Sequence, residues 1–564
     1  MLPILHQQRY IRLPFVFAVS LVLLAFACTQ EEPVATPTPT LIPSPTPTAT
    51  QEPTPTPTPA KTWMNPEAQY GGTLVIATGN ETPSLDVHQE FSATLAARGP
   101  GLVYSRLLRL KSGPNIDLPS RQVECELCSS WKVENKGRTY VFQIRDDANW
   151  QNIEPVNGRT VIAQDIVSSY LRQATDGWPN AALLSSISSM EAEDEKTLRI
   201  ELDTPDSDFL LSLANGNSKV VAPEVVDITG TLTSGPNIGS GPWIWDGYDG
   251  SAYALQRNTD YFEQGLPYLD TVQIHVIIDK DTRVAAYRSG LLDVVDIPSD
   301  TWASLSAASP DLQSLSYVDA GTGMELSLNT ARSPFEELEI RQAFFSALDP
   351  WTDVEEVWGE GNASVALGMP VASVDWLLSQ EDLQEYFNAP SESVKGLEAH
   401  RTISKAFTLR VGEFGDQYTQ HAERIVQSLK SVGFHPTIEK VDLKTFAEDV
   451  WVDGNYTAFL GAASPATSTN AYLLGVLHSR GTYNTQNFED SKLDELIESQ
   501  SVEMDPLLRA KQARQIQERA FEQAFRFMPA ANVQRWAWSP RLRDFYPNFA
   551  GFEYSFWAKV WIAQ

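Results

Sequence analysis

The sequence predicts a mixed α/β fold spread over more than one lobe, and three observations carry that prediction. The chain has 564 residues, several times the roughly 100 to 200 of one domain. Apolar residues make up 42% and aromatics 10%, with 15 Trp, more buriable surface than a disordered chain holds. Strand and helix patterns intermix without a repeat for about 500 residues after a Thr/Pro-rich stretch. Lys plus Arg number 42 against 72 Asp plus Glu, a formal charge of −30. That charge repels nucleic acid and anionic lipid, so no nucleic-acid partner is expected.

In chain order, residues 1–28 read as an export signal. Arg9 and Arg12 precede an uncharged run from Leu13 to Ala27, and Ala25-Phe26-Ala27-Cys28 closes it. That run is short for a membrane-spanning helix, and small residues at 25 and 27 suit cleavage just before Cys28. Cys28 is the expected lipidation site. An uncleaved anchor and an ordinary secretory signal are the alternatives. Residues 29–65 form the expected disordered stalk. Pro33 to Pro59 holds ten Pro and nine Thr in 27 residues, a composition that favours extended polyproline II and buries no core. At about 3.1 Å per residue, such a spacer reaches roughly 80 Å.

Strands are expected over Thr73 to Ala77, Tyr140 to Arg145, Thr197 to Leu202, Val272 to Ile278, Glu325 to Asn329 and Thr408 to Gly412. Asp281 or Thr282 is expected to cap a short helix stopping at Gly290, and Asp505-Pro506 to open a long one.

Motifs for catalysis are missing from the sequence. It contains no G-x-S-x-G, G-x-x-x-x-G-K-[ST], G-x-G-x-x-G or H-E-x-x-H pattern. Its seven His, at 6, 88, 275, 400, 421, 435 and 478, do not share a helix or strand face. Neither a metal site nor a cofactor is expected. Acidic clusters such as Asp146-Asp147 and Glu336-Glu337-Leu338-Glu339 read as solvated faces. Cys125-Glu126-Leu127-Cys128 admits a redox motif, half a zinc site or a local disulfide. In an exported chain with no second ligand pair, the disulfide of Cys125 and Cys128 fits best. The many Trp suit an aromatic-walled binding cleft as well as ordinary packing.

A run of landmarks covers the rest of the chain. Gly71-Gly72-Thr73-Leu74 is followed by Ser84-Leu85-Asp86, Ser130-Trp131 by Tyr140 to Arg145, and then Ala163-Gln164-Asp165-Ile166. Gly239-Ser240-Gly241-Pro242-Trp243, Arg257-Asn258 with Asp260-Tyr261-Phe262, Gly265 to Asp270 and Ser289-Gly290-Leu291-Leu292-Asp293 come next. Leu328-Asn329-Thr330, Pro334-Phe335, Ile340-Arg341-Gln342-Ala343 and Ala347-Leu348-Asp349 complete the order, with Leu493 to Ile497 as a late helix. In these stretches the chain resembles the peptide, oligopeptide and nickel type of extracellular solute-binding protein that serves ABC importers.

The resemblance implies a two-lobed periplasmic-binding-protein-like clamshell whose first lobe is discontinuous and carries an inserted subdomain. Lobe I is expected over 66–90, 206–323 and 531–564, the inserted subdomain over 91–205 and lobe II over 324–530. The chain is expected to cross between lobes near Gly321 to Met324 and near Met528 to Asn532. A peptide or small-molecule ligand, ABC permease and ATPase subunits, and a membrane reached through the lipid anchor are the implied partners of a monomer outside the cytoplasm, at the cell surface or in the periplasm. No catalysis is implied.

Two departures from the family pattern bear on the ligand. Trp150 to Gly158 replaces a short turn. Gly461-Ala462-Ala463-Ser464-Pro465-Ala466-Thr467 lacks the acid that pairs with a peptide's amino terminus in peptide-binding relatives, and Glu325 is the candidate substitute. By position, the expected ligand contacts are Glu90, Phe91, Met324, Glu325, Asn470, Tyr472, Tyr483, Asn484, Trp536 and Trp538. A secreted hydrolase or thiol oxidoreductase, a surface receptor or adhesin on the same fold, and a carrier of sugar, opine or metal chelate are the rival readings.

Overall fold

The computed structural model describes residues 65–82, 84–309, 311–387, 404–464, 466 and 468–564. The expected signal, Cys28 and nearly all of the stalk lie outside the described residues, as do Pro465 and Thr467.

Three sheets organise the chain. The first joins Thr73–Thr78 in parallel to Thr271–Val276, which continues antiparallel through Ala252–Arg257 to Trp243–Tyr248. Side chains alternate across the opening strand, so Leu74 and Ile76 enter the core while Thr73 and Val75 do not. The second sheet is antiparallel, in the order Cys128–Glu134, Thr139–Ile144, Thr197–Leu202, Ile187–Ala192, and lies inside the expected insertion. The Cys125 and Cys128 sulfurs are bonded at its edge.

The third sheet has seven strands. Its centre is a pair of long antiparallel strands, Gln313–Leu328 and Arg526–Trp538. Val294–Asp296 flanks one end, and Ala458–Ala462, Ala406–Gly412 and His435–Val441 extend the other. The last two strands are parallel, joined by the helix Asp416–Ser431, whose buried His421, Ala422, Ile425, Val426 and Leu429 recur at helical spacing.

Two large apolar cores result. One gathers residues from Leu74 to Val294 and from Trp536 to Trp561, the other residues from Met324 to Ala530. Tyr140, Phe142 and Ile166 of the segment 91–205 share the first core instead of forming their own. The two long strands pass from one core to the other. Between them Ala320, Ala366, Met528 and Ala531 form a small separate cluster, where the ladder shifts register between Asp319 and Gly323. Gly323 has φ +138°, and a Cβ there would sit 2.2 Å from the Ala530 carbonyl oxygen, so only glycine fits the shift.

The long helix is Pro506–Gln523, with the Asp505 carboxylate accepting from the Leu507 and Leu508 N–H groups at 2.8 and 3.2 Å. The shorter helix corrects the expected cap. It spans Lys280–Arg288, and Asp279, not Asp281 or Thr282, accepts from the Thr282 N–H.

Candidate functional site

The site is built where residues of the two cores meet. Asp206, Ser207 and Asp208 follow the second sheet, and they touch the turn at Asn470 and the ends of the helices Ser491–Ser501 and Pro506–Gln523. The Asp208 carboxylate pairs with Arg509 at 2.6 Å and accepts from the Asn470 backbone N–H at 2.7 Å. Asn470 Nδ2 donates to Asp206 at 2.9 Å, and Gln500 Nε2 and Arg509 Nη2 both donate to Asn470 Oδ1. Burial pushes the Asp206 carboxyl up. The seam thus joins Asp206 and Asp208 on one side to the Asn470, Gln500 and Arg509 network on the other.

A second contact lies across the molecule. Ser120 bridges to Ser373, and the Arg121 N–H donates to the Ala372 carbonyl at 2.9 Å. Beside it the central strand carries Tyr317 and Asp319, both half-buried. Tyr317 lies within electrostatic reach of Asp319, Arg121 and Arg98, and burial together with Asp319 raises its hydroxyl's pKa. Arg98 and Arg121 are each held below the usual guanidinium range, by burial first, yet both keep partial solvent access. Two cations, a phenol and a carboxylate thus surround the point where the chain passes between cores.

An aromatic row supports Arg98. Its guanidinium carbon lies 4.5 Å from the Trp536 ring centre and 5.2 Å from that of Phe549, and those two rings stack at 4.1 Å. Phe552 follows in the same segment, edge-on to Phe91 at 5.2 Å. Phe552 has φ +60°, a left-handed backbone that a bulky side chain rarely adopts.

The structure therefore brings Phe91 and Trp536 into one row and places Asn470 in the seam. Glu90 is half-buried, and its carbonyl accepts from Asn180. Other candidates are already engaged within the protein. Met324 is fully buried. Tyr472 donates to the Leu367 carbonyl at 2.9 Å, with Arg526 over its ring. Asn484 Nδ2 donates to the carbonyls of His478, Ser479 and Phe488 and holds its own loop. Trp538 packs edge-on against Phe545 on the flank of the first core.

Glu325 is a correction. Its carboxylate is 3% exposed and pairs with Arg526 at 2.5 Å, so it is not open to a ligand ammonium. Burial pushes its pKa up, against the pull of Arg526. With Tyr483 and Ser464 it lines a cavity of about 10 Å³, room for a single water. Arg98, Arg121, Tyr317, Asp319 and Asp208 were missed by sequence reasoning. Arg98, Arg121 and Asp208 meet groups remote in sequence, and the short pair Tyr317 and Asp319 carries no pattern that marks it.

The insertion at Trp150 is structural. Trp150 is buried and donates to Asp165 at 3.1 Å, while Gln151 Nε2 donates to the Trp243 carbonyl at 2.8 Å. Among the described residues no group of His, Cys, Asp and Glu is placed to hold a metal ion, and no helix is long and apolar enough to cross a membrane.

Two cores joined by paired crossing strands, with polar groups facing across the junction, define a clamshell binding protein. Residues 122–484 match the model of bacterial extracellular solute-binding proteins, family 5, middle region, and the chain belongs to that family. It is 24% identical over 482 residues to heme-binding protein A of Haemophilus influenzae, covering 80% of this chain and 85% of that one. It is 26% identical over 344 residues to a probable di/tripeptide-binding protein of Pseudomonas aeruginosa, covering 57% and 63%. The solved structure of HbpA2 from Haemophilus parasuis superposes with a TM-score of 0.74 at 22% identity, over 87% of this chain and all of that one. Family 5 proteins are the extracytoplasmic substrate-binding components of ABC importers.

Proposed function

We propose that this protein is tethered to the membrane through Cys28, captures a peptide-like solute between its lobes and delivers it, as a monomer, to an ABC permease. Lobe I comprises 66–90, 206–323 and 531–564 with the insertion 91–205, and lobe II comprises 324–530. The observation that carries the reading is the half-buried set Arg98, Arg121, Tyr317 and Asp319 beside the crossing strands. Both charge signs and a hydroxyl stand there within a short span, matching the charged termini and amide groups of a short peptide. Relatives such as the probable di/tripeptide-binding protein of Pseudomonas aeruginosa favour the same class. Phe91 and Tyr483 stand on the solute side, with Trp536 behind Arg98, while Asn470 serves the seam between the lobes. Hinge closure on the solute presents a form that the permease recognises.

Native mass spectrometry of the purified protein, followed by denaturation and identification of released molecules, tests the proposal. A heterogeneous set of short peptides is the expected result. A single non-peptide mass overturns the substrate class, and an empty protein that ignores peptide libraries overturns import of peptides altogether.

A further inference from the structure

We infer that Arg98 anchors a carboxylate of the bound solute, its C-terminal carboxylate if the solute is a peptide, on the platform formed by Trp536 and Phe549. This deepens the solute-capture reading above and rests on it.

Around Arg98 the nearest acid is Asp296, and that carboxylate is taken by Arg283, whose Nε and Nη2 donate to it at 3.2 and 3.0 Å. Arg283 also donates twice more, to the carbonyls of Ile277 and Ile278. Arg98 therefore has an Arg at its side whose charge is answered, while its own guanidinium meets no carboxylate or other acceptor within bonding distance among the described residues. A guanidinium does not lose its proton in a protein, so a poorly hydrated one needs an anion. Three deep arginines receive one, Arg106 between Glu126 and Glu553, Arg109 between Glu124 and Glu263, and Arg509 by Asp208, while Arg341 and Arg535 are met by backbone carbonyls and a hydroxyl instead. Arg98 has neither kind of acceptor among the described residues.

Position and geometry agree. Arg98 lines a void of about 10 Å³ with Ile76 and Ala77, towards the carboxyl end of the first strand. That void holds no more than one water, so the anion enters from the solvent-accessible side of the guanidinium. The Trp536 and Phe549 rings fix the plane of the fork, which presents paired N–H donors matched to a planar carboxylate. Phe91, half-exposed and edge-on to Phe552, adds apolar surface in the segment that leads into Arg98.

The test uses the full chain and two probes, a mixed tripeptide library with free C-terminal carboxylates and the same library amidated. Binding is read by competition and native mass spectrometry. Amidation is expected to weaken binding at least about tenfold, the scale of a lost charge-assisted hydrogen bond. Arg98→Met should weaken the free-acid library by a similar factor and the amidated one by clearly less, with Arg98→Lys recovering part of the free-acid loss. Equal binding of the two libraries by the unsubstituted protein overturns the proposal while leaving the peptide reading in place, and it needs no variant to fold. Failure of both libraries to bind overturns the peptide reading and this proposal together.

Discussion

Asp208 and Arg509 form a 2.6 Å ion pair in which each partner belongs to a different apolar neighbourhood, one following the second sheet and the other on the long C-terminal helix. Both side chains are buried, at 3% and 7% exposure. The pair clasps the two cores together, because Asn470 and Gln500 complete the same network beside the second core. Asp208 precedes the helix Phe209–Ala214 without capping it through its side chain, so its removal acts on the clasp and not on that helix.

Asp208→Ala is therefore expected to open the lobes. It leaves Arg509 uncompensated, a loss on the scale of about 3 to 5 kcal/mol for a buried pair. Small-angle scattering should show a larger radius of gyration with unchanged circular dichroism. An unchanged radius would mean that the seam does not hold the lobes together.

The crossing strands make a second prediction. At Gly323 a methyl group meets the Ala530 carbonyl in a left-handed backbone. Gly323→Ala should destabilise the protein by more than about 1 kcal/mol, seen as a lower urea midpoint.

Acid should weaken the fold through two buried histidines. His88 and His421 are each pushed down to about 4 by burial, with Arg172 and Arg424 respectively adding to the effect. Their folded values lie below the unfolded value near 6.5. The stabilisation is therefore complete above pH 6.5 and is lost as pH falls from there towards 4, by up to about 3 kcal/mol for each group. Melting temperature measured against pH should fall across that window, and His421→Gln should remove part of the slope. Glu553 acts lower still. Burial alone would raise its carboxyl, but Arg106 and the Tyr554 and Ser555 N–H groups outweigh that and hold it at about 2. Its contribution is present above pH 4.5 and lost only as pH approaches 2.

Reduction of the Cys125–Cys128 bond should cost about 2 kcal/mol, the chain-entropy value for so short a loop. The bond borders Glu126, which pairs with Arg106 inside the first core, so the effect belongs to stability. Urea midpoints with and without reductant should differ, while solute affinity should not.

Much of the scaffold is legible in the sequence because it rests on local periodicity. Thr197–Leu202 alternates apolar and polar residues and forms the expected strand, and Asp505-Pro506 opens the expected helix. The strand expected at Glu325 to Asn329 is the end of a sixteen-residue one, Gln313–Leu328. Its first part, with Ser314, Ser316, Asp319 and Thr322, carries polar residues towards the junction and loses the apolar alternation that marks a strand. Site residues are harder to read for the same reason. Glu325 looks available until Arg526, about two hundred positions later, folds against it. Arg98 is one cation after a five-residue helix, and its meaning depends on rings supplied by the C-terminal segment.

The central claim is that a solute is enclosed between two lobes joined at the crossing strands. Hydrogen–deuterium exchange of the full chain, with and without the free-acid tripeptide library, tests it most directly. Slowed exchange is expected on both sides of the junction together, in residues 96–98, 206–208, 317–324, 470–472 and 500–509. Protection confined to one lobe, or no protection while peptide is bound, would contradict it.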